Sequence, residues 1–590
     1  MKYASLVLIG SLLAASCQQR ASHSSPQASR DSLHQLAARY YEGNMALQPV
    51  QATLNGENKY NDQLPVDIGQ PYRHRADSFY ASYQEALKKI DTSSLSNNDR
   101  ITYAMLQREL SLNREVLTYH EYLMPVQQFT CLPILMAQLG SGASAQPFKN
   151  KKDYENFMHR MEGFSAWADT AISNMRQGIA TGYVLPEKLV IKTLPQLQDL
   201  SKKDSTNVFF APLKTLPDSL DATAKQQLAS EYNAAIEKFI LPAYSRLYKF
   251  MQEEYLPKAR KTSGIDGIPD GKKYYDYLVR SWTSTNKTPE EIYALGESEV
   301  ARIRGEMEAI KNSTGFKGDL SAFFTFVRND KKLRIFKTPA AVLDSFKAIE
   351  NKIMPGVRKM YGHLPKSKFE IKQTEAYRAA SASAEYQPGS PDGSRPGTFY
   401  VPILNAADFS YTGMECLFLH EAIPGHHFQF SLQQENDSLP QFRRFAWVGA
   451  FGEGYALYCE SLGKELGLYT DPYMYFGRLT DEIHRAIRLV VDVGIHRKGW
   501  TREQAIKYMM DNEPVSEHEA TAEIERYMAI PAQALSYKIG EIKIRELREK
   551  YTKALGDKFS LPAFHDELLK DGCIPLSVLE EKMARFYGSK

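Results

Sequence analysis

The chain has 590 residues, 43% of them hydrophobic and 24% charged, with a net charge of +3 from 73 basic and 70 acidic side chains. That composition is ordinary for a globular protein able to bury a large core. The near-balance of charge gives no argument for nucleic acid or for an acidic partner.

The first segment differs from the rest. Met1-Lys2 is a short basic start, and Leu6 to Ala15 is an apolar run. It is too short to cross a bilayer, which needs about 20 apolar residues, and it sits where an export signal does. Leu13-Ala14-Ala15-Ser16-Cys17 sets small residues before a cysteine and resembles a bacterial lipobox. Residues 1–17 then form a lipoprotein signal peptide, and Cys17 carries the lipid; an ordinary cleaved signal is the alternative. Residues 18–30, rich in Ser, Gln and Ala, read as a flexible tether. The protein is expected to be exported, lipid-anchored to a bacterial membrane and facing the periplasm. Cys131, Cys416, Cys459 and Cys573 are scattered without a C-x-x-C pair, which predicts mostly buried free thiols.

Residues 31–588 read as a single domain, mainly α, with a helical N-terminal half (31–365) and a second half (366–588) that carries the chemistry. Phe164, Trp167, Ala168, Ala171, Ile172 and Met175 fall on one face of a long predicted helix. Glu231 to Glu253 and Pro289 to Lys311 show similar periodicity. Gln387 to Gly397 is a turn-rich loop leading into the β-prone run Thr398 to Ile403. A loop, a strand and a His-Glu helix in that order predict a small sheet. Its edge strand, with Tyr400, is expected to hold extended substrate by backbone pairing.

His420-Glu421-Ala422-Ile423-Pro424-Gly425-His426-His427 is the central motif. The zinc-peptidase pattern H-E-x-x-H needs two imidazoles one turn apart and a Glu beside the first. Here the fourth residue after His420 is Pro424, which removes a helical hydrogen bond and forces a kink or a wider turn. If Pro424-Gly425 adds two residues to that turn, His426 takes the place of the second ligand. In an unbroken helix His427 returns to the same face, but about 10 Å along the axis, so it stands as the rival. Zinc in a catalytic site takes three protein ligands. Glu453, 27 residues after His426, is the predicted third, and Glu460, two turns on, is placed to orient a ligand. Glu421 is then the general base for water made acidic by one Zn²⁺.

Further candidates lie downstream. Tyr527 and Tyr537 offer hydroxyls to a developing oxyanion, and His496 is a third possible donor. Arg526 and Lys538 are positioned to pair with a substrate carboxylate, with Gln533 as a further polar contact.

These segments together resemble the bacterial domain-of-unknown-function family 885, many of whose members are exported lipoproteins. The likeness rests on His420 to His427 with Gln429, on Gly452-Glu453-Gly454-Tyr455-Ala456, on Gly494 to Ala505, on Arg526-Tyr527 through Gly540, and on Gln177 to Pro186. It covers roughly residues 30 to 585. It implies a mostly helical, zincin-like shape with a central cleft and distant kinship to glutamate-zincins such as thimet oligopeptidase, angiotensin-converting enzyme and Taq carboxypeptidase. In those the third ligand is a Glu on the following helix, which maps onto Glu453. The expected function is that of a zinc metallopeptidase, a hydrolase cutting short peptides. The alternatives are a zinc amidase acting on a non-peptide or cell-wall amide, and a non-catalytic binding lipoprotein.

Overall fold

A computed structural model describes residues 26–375, 383–390 and 395–588. The signal segment and Cys17 lie outside the described residues. The expected tether is corrected at its end: a helix, α1, already runs Pro26–Leu47 and buries Leu33, Leu36, Ala37 and Tyr40.

The chain is mainly helical. The long periodic stretch is α2 (Lys151–Thr181), opened by an Asn150–Asp153 capping box and closed by Gly182 at φ 84. A left-handed C-terminal residue of this kind favours glycine. Phe164, Trp167, Ala168, Ala171, Ile172 and Met175 are all buried on its inner face, as their spacing predicts. Residues 231–253 are helical with two short π segments, and α3 (Pro289–Ser313) starts with a Thr288–Glu291 capping box. The four cysteines beyond residue 17 are free thiols, three of them buried. No helix among the described residues is long and apolar enough to cross a membrane.

The small sheet contains β1 (Phe369–Gln373), β2 (Glu385–Gln387) and β3 (Gly397–Val401), in the order β1-β3-β2. β3 pairs parallel with β1 and antiparallel with β2. This corrects the expected edge strand. β3 is central, with both sides hydrogen-bonded, so neither its backbone nor half-buried Tyr400 can receive a peptide by strand addition. The sheet packs on α4 (Met414–Glu421): the Phe399 and Phe369 rings lie 6.4 and 6.2 Å from Phe418. Aromatic side chains on one sheet face thus fix the helix that ends in His420-Glu421.

Candidate metal centre

Pro424 lacks an amide hydrogen and restricts the residue before it, so α4 stops at Glu421. A second helix, α5 (His426–Gln434), starts five positions later, after a cis Ile423–Pro424 bond. The kinked helix expected there is therefore two helices. Gly425 is required at the join, because a Cβ there would collide with the His420 carbonyl oxygen. The Tyr455 hydroxyl donates to the Pro424 carbonyl at 2.9 Å and pins the connection from α6 (Gly449–Ser461).

This break brings the two imidazoles together. The His420 and His426 rings are 5.0 Å apart and nearly perpendicular, and each Nε2 lies 3.7 Å from Glu453 Oε2 on α6. A tetrahedral zinc with bonds of 2.0–2.1 Å has ligand atoms about 3.3 Å apart, so the three side chains fit one ion with little adjustment. Ligand atoms of His420, Glu421 and His426 also lie within 4.8 Å of one another. Glu453, equidistant from both imidazoles, is the better placed third ligand, and Glu421 stands beside them.

His420 Nδ1 meets Glu460 Oε1 at 2.7 Å. A carboxylate there accepts the Nδ1 proton and fixes the ring orientation that turns Nε2 toward Glu453. Burial opposes charge on His420, but the flanking Glu453 and Glu460 prevail and push it up to about 10. Burial dominates at His426 and pulls it down to about 4, and His426 Nδ1 is buried without a partner. Glu421 is pushed up to about 7, chiefly by burial, with Glu453 adding to the rise. Burial opposes charge on Glu453, but the His420 imidazole 3.7 Å away, charged in the absence of metal, outweighs it and holds Glu453 below the usual carboxylate range.

Flanking glycines let neighbours close on Glu453. A Cβ at Gly452 would strike the Trp447 indole, and one at Gly454 the Gly540 backbone on α9 (Ser536–Leu555). Trp447 stacks on Phe430 at 5.1 Å, stands 6.0 Å from the His426 ring and remains 43% exposed. It forms an aromatic wall beside the second imidazole.

Four expected roles are corrected. His427 turns away from Glu453: its Nδ1 meets the Tyr386 hydroxyl at 2.9 Å, and its ring packs 5.0 Å from Phe369. His496 is fully buried, with the Ile265 amide donating to Nδ1 and Nε2 bonding the Tyr527 carbonyl, so both nitrogens are used by backbone. Burial drives its pKa down to about 3, as fits a neutral staple. Tyr527, on α8 (Glu517–Ala529), donates to Glu523 at 2.5 Å and accepts from Arg488, leaving no proton for substrate. Lys538 is fully buried among Glu482, Glu541 and Glu299 at 2.8–3.0 Å, out of reach of any substrate carboxylate.

Tyr537 remains partly exposed, its ring 4.8 Å from the Arg488 guanidinium. Arg526 and Gln533 are also partly exposed and bond each other at 2.9 Å. What sequence reading missed is α7 (Pro472–Arg497). Its Arg485 lowers the pKa of both Glu421 and Glu453, while Arg488 joins His484, Glu523 and Tyr527 in one network. The signal was present: Arg478, Arg485 and Arg488 interrupt a helix whose other residues are mostly apolar.

Fold and site together define a mainly helical protein with a small three-stranded sheet and a two-histidine, one-glutamate cluster between short helices. The chain belongs to the family described as bacterial proteins of unknown function (DUF885), whose model matches residues 49–583. It is similar to the solved structure of a candidate lipoprotein of Colwellia psychrerythraea, at 27% identity and TM-score 0.84, over 95% of this chain and 100% of that one. A candidate lipoprotein of unknown function from Shewanella oneidensis is similar in fold, at 21% identity and TM-score 0.76, over 93% and 99%. No curated protein matches the chain.

Proposed function

We propose that this protein is a zinc-dependent peptidase of zincin-like design, acting on short peptides in a cleft beside His420, His426 and Glu453. The observation that carries this is the meeting of two Nε2 atoms at 3.7 Å from one carboxylate oxygen, with Glu460 behind His420. His420, His426 and Glu453 hold the metal, and Glu460 orients the first of them. Bound zinc supplies Lewis acidity toward a carbonyl and makes water more acidic. Glu421, raised to about 7, takes a proton near neutral pH and returns it to the leaving amine. Tyr537 donates to the developing oxyanion, and Arg526 with Gln533 meets a substrate carboxylate. β2, an edge of the sheet, is the strand beside which an extended peptide lies, in place of the internal β3. Export and anchoring through Cys17, facing the periplasm, complete the reading; both similar solved structures are described as candidate lipoproteins.

The test is a peptide-library digest read by mass spectrometry, with and without chelator, on wild type and Glu421→Gln. Cleavage that stops with chelator and in Glu421→Gln, while the variant still binds one zinc, is expected. Cleavage unchanged in both arms, or no zinc bound by wild type, rejects the proposal.

A further inference from the structure

A cavity of about 940 Å³ opens between the core built round α2 and the core that carries the sheet and α4. Small-molecule sites occupy roughly 300–1,000 Å³, so the size is that of a ligand site. None of His420, His426, Glu453 or Glu421 lines it. Its walls include Tyr72, Tyr122, Trp167 and Trp282, and two carboxylates enter it from Asp67 and Glu121. Both acids are open to water within the cavity yet surrounded by protein, and burial holds both carboxyls above their usual range.

One oxygen of each acid is fixed. The Trp167 indole donates to Asp67 Oδ1 at 2.8 Å, and the Tyr274 hydroxyl to Glu121 Oε2 at 2.5 Å. Among the described residues neither carboxylate bonds a cation directly, although the Arg73 charge works against burial at Glu121. The cations that share the cavity are engaged elsewhere. Arg73 donates to the Leu117 carbonyl at 2.6 Å and lies 3.8 Å from the Tyr122 ring centre. Arg260 donates to the carbonyls of Val184, Thr262 and Gly264.

The walls are also held in place before any ligand arrives. His496 ties Ile265, a lining residue, to the Tyr527 carbonyl that precedes the lining segment Met528 to Pro531. A site fixed in advance loses less on binding than one that must order itself.

We propose that this cavity binds a primary ammonium carried on an apolar or aromatic body, with Asp67 and Glu121 receiving the ammonium and the aromatic walls the body. Two carboxylates whose neighbouring guanidiniums spend their protons on backbone carbonyls keep oxygens open to a positively charged ligand, and aromatic faces add attraction to it. A peptide amino terminus and a lysine side chain both present this chemistry. The inference does not depend on hydrolysis at His420 and Glu453.

Isothermal calorimetry on the full chain, with chelator present to keep any turnover silent, tests it using phenylalaninamide, N-acetylphenylalaninamide and Nα-acetyl-lysinamide. Phenylalaninamide is expected to bind saturably and its acetylated form at least ten-fold more weakly. Tighter binding of Nα-acetyl-lysinamide assigns the source to a side chain, and tighter binding of phenylalaninamide to an amino terminus. Glu121→Gln keeps an acceptor for Tyr274 and should weaken the preferred amine at least ten-fold. Equal binding of the acetylated and free amines, or no saturable binding of either amine, overturns the proposal without recourse to any variant.

Discussion

Among the described residues two clusters bring three acidic or imidazole side chains within 4.8 Å, and they solve the problem of crowding in opposite ways. Glu299, Glu482 and Glu541 close on the Lys538 ammonium, with Arg302 and Arg478 bonded to Glu482 at 2.6 and 2.5 Å. Their charge is balanced from within the protein, and both Glu299 and Glu482 are held well below the carboxylate range. Around Glu453 the neighbours are imidazoles whose second nitrogens are buried, one of them on Glu460. Convergence of acids alone therefore does not mark a metal site. What sets the second cluster apart is that its acid meets imidazoles, which bind a cation only when they are neutral.

Removing the cation from the first cluster should give the largest effect. Lys538→Met leaves three carboxylates, two of them buried, facing one another and is expected to destabilise the fold by about 3–5 kcal/mol in denaturant unfolding. Zinc content per folded molecule should stay unchanged; loss of zinc without loss of stability would merge the two clusters into one. His496→Ala isolates the difference between a staple and a ligand. It strands the Ile265 amide and the Tyr527 carbonyl, costs about 2–4 kcal/mol of stability by the same measurement, and leaves metal affinity intact.

Glu460→Gln probes the second cluster directly. Loss of the charged partner of His420 should weaken zinc about 10–100-fold in a competitive chelator titration, with stability of the metal-free protein nearly unaltered. The smallest effect concerns Asp492, a fully buried acid pushed up to about 7 by burial although Tyr275 and the Ala532 amide bond to it. Its folded pKa lies above the unfolded value of about 3.9, so the native state favours the proton. That contribution is complete below about pH 4 and is lost as pH rises toward 7. Asp492→Asn keeps both hydrogen bonds and should raise Tm by about 1–3 °C at pH 8 and not at pH 4. An equal shift at both pH values would show that the acid is charged throughout.

Much of the fold is legible in local pattern. The inner face of α2 from Phe164 to Met175, the capped starts of α2 and α3, and the strand at 397–401 follow from periodicity and capping chemistry. At the candidate site, Pro424-Gly425 between the histidines signals a break, and the chain distance from His426 to Glu453 allows a return helix. Sequence could not decide between His426 and His427, because one residue of rotation after the break sets which ring meets Glu453 and which meets Tyr386. Nor could it separate Lys538 and His496 from surface or catalytic groups, since their partners are 56 and 231 residues away.

By itself the sequence determined the helical class, the family block at 420–427 and the residue types able to hold a metal, because these depend on neighbours along the chain. Tertiary structure alone decided that β3 is internal, that α7 supplies Arg485 and Arg488, and that the buried lysine neutralises acids. Each of those outcomes depends on which distant helices pack together, and a buried charge takes its role from whatever those helices place beside it.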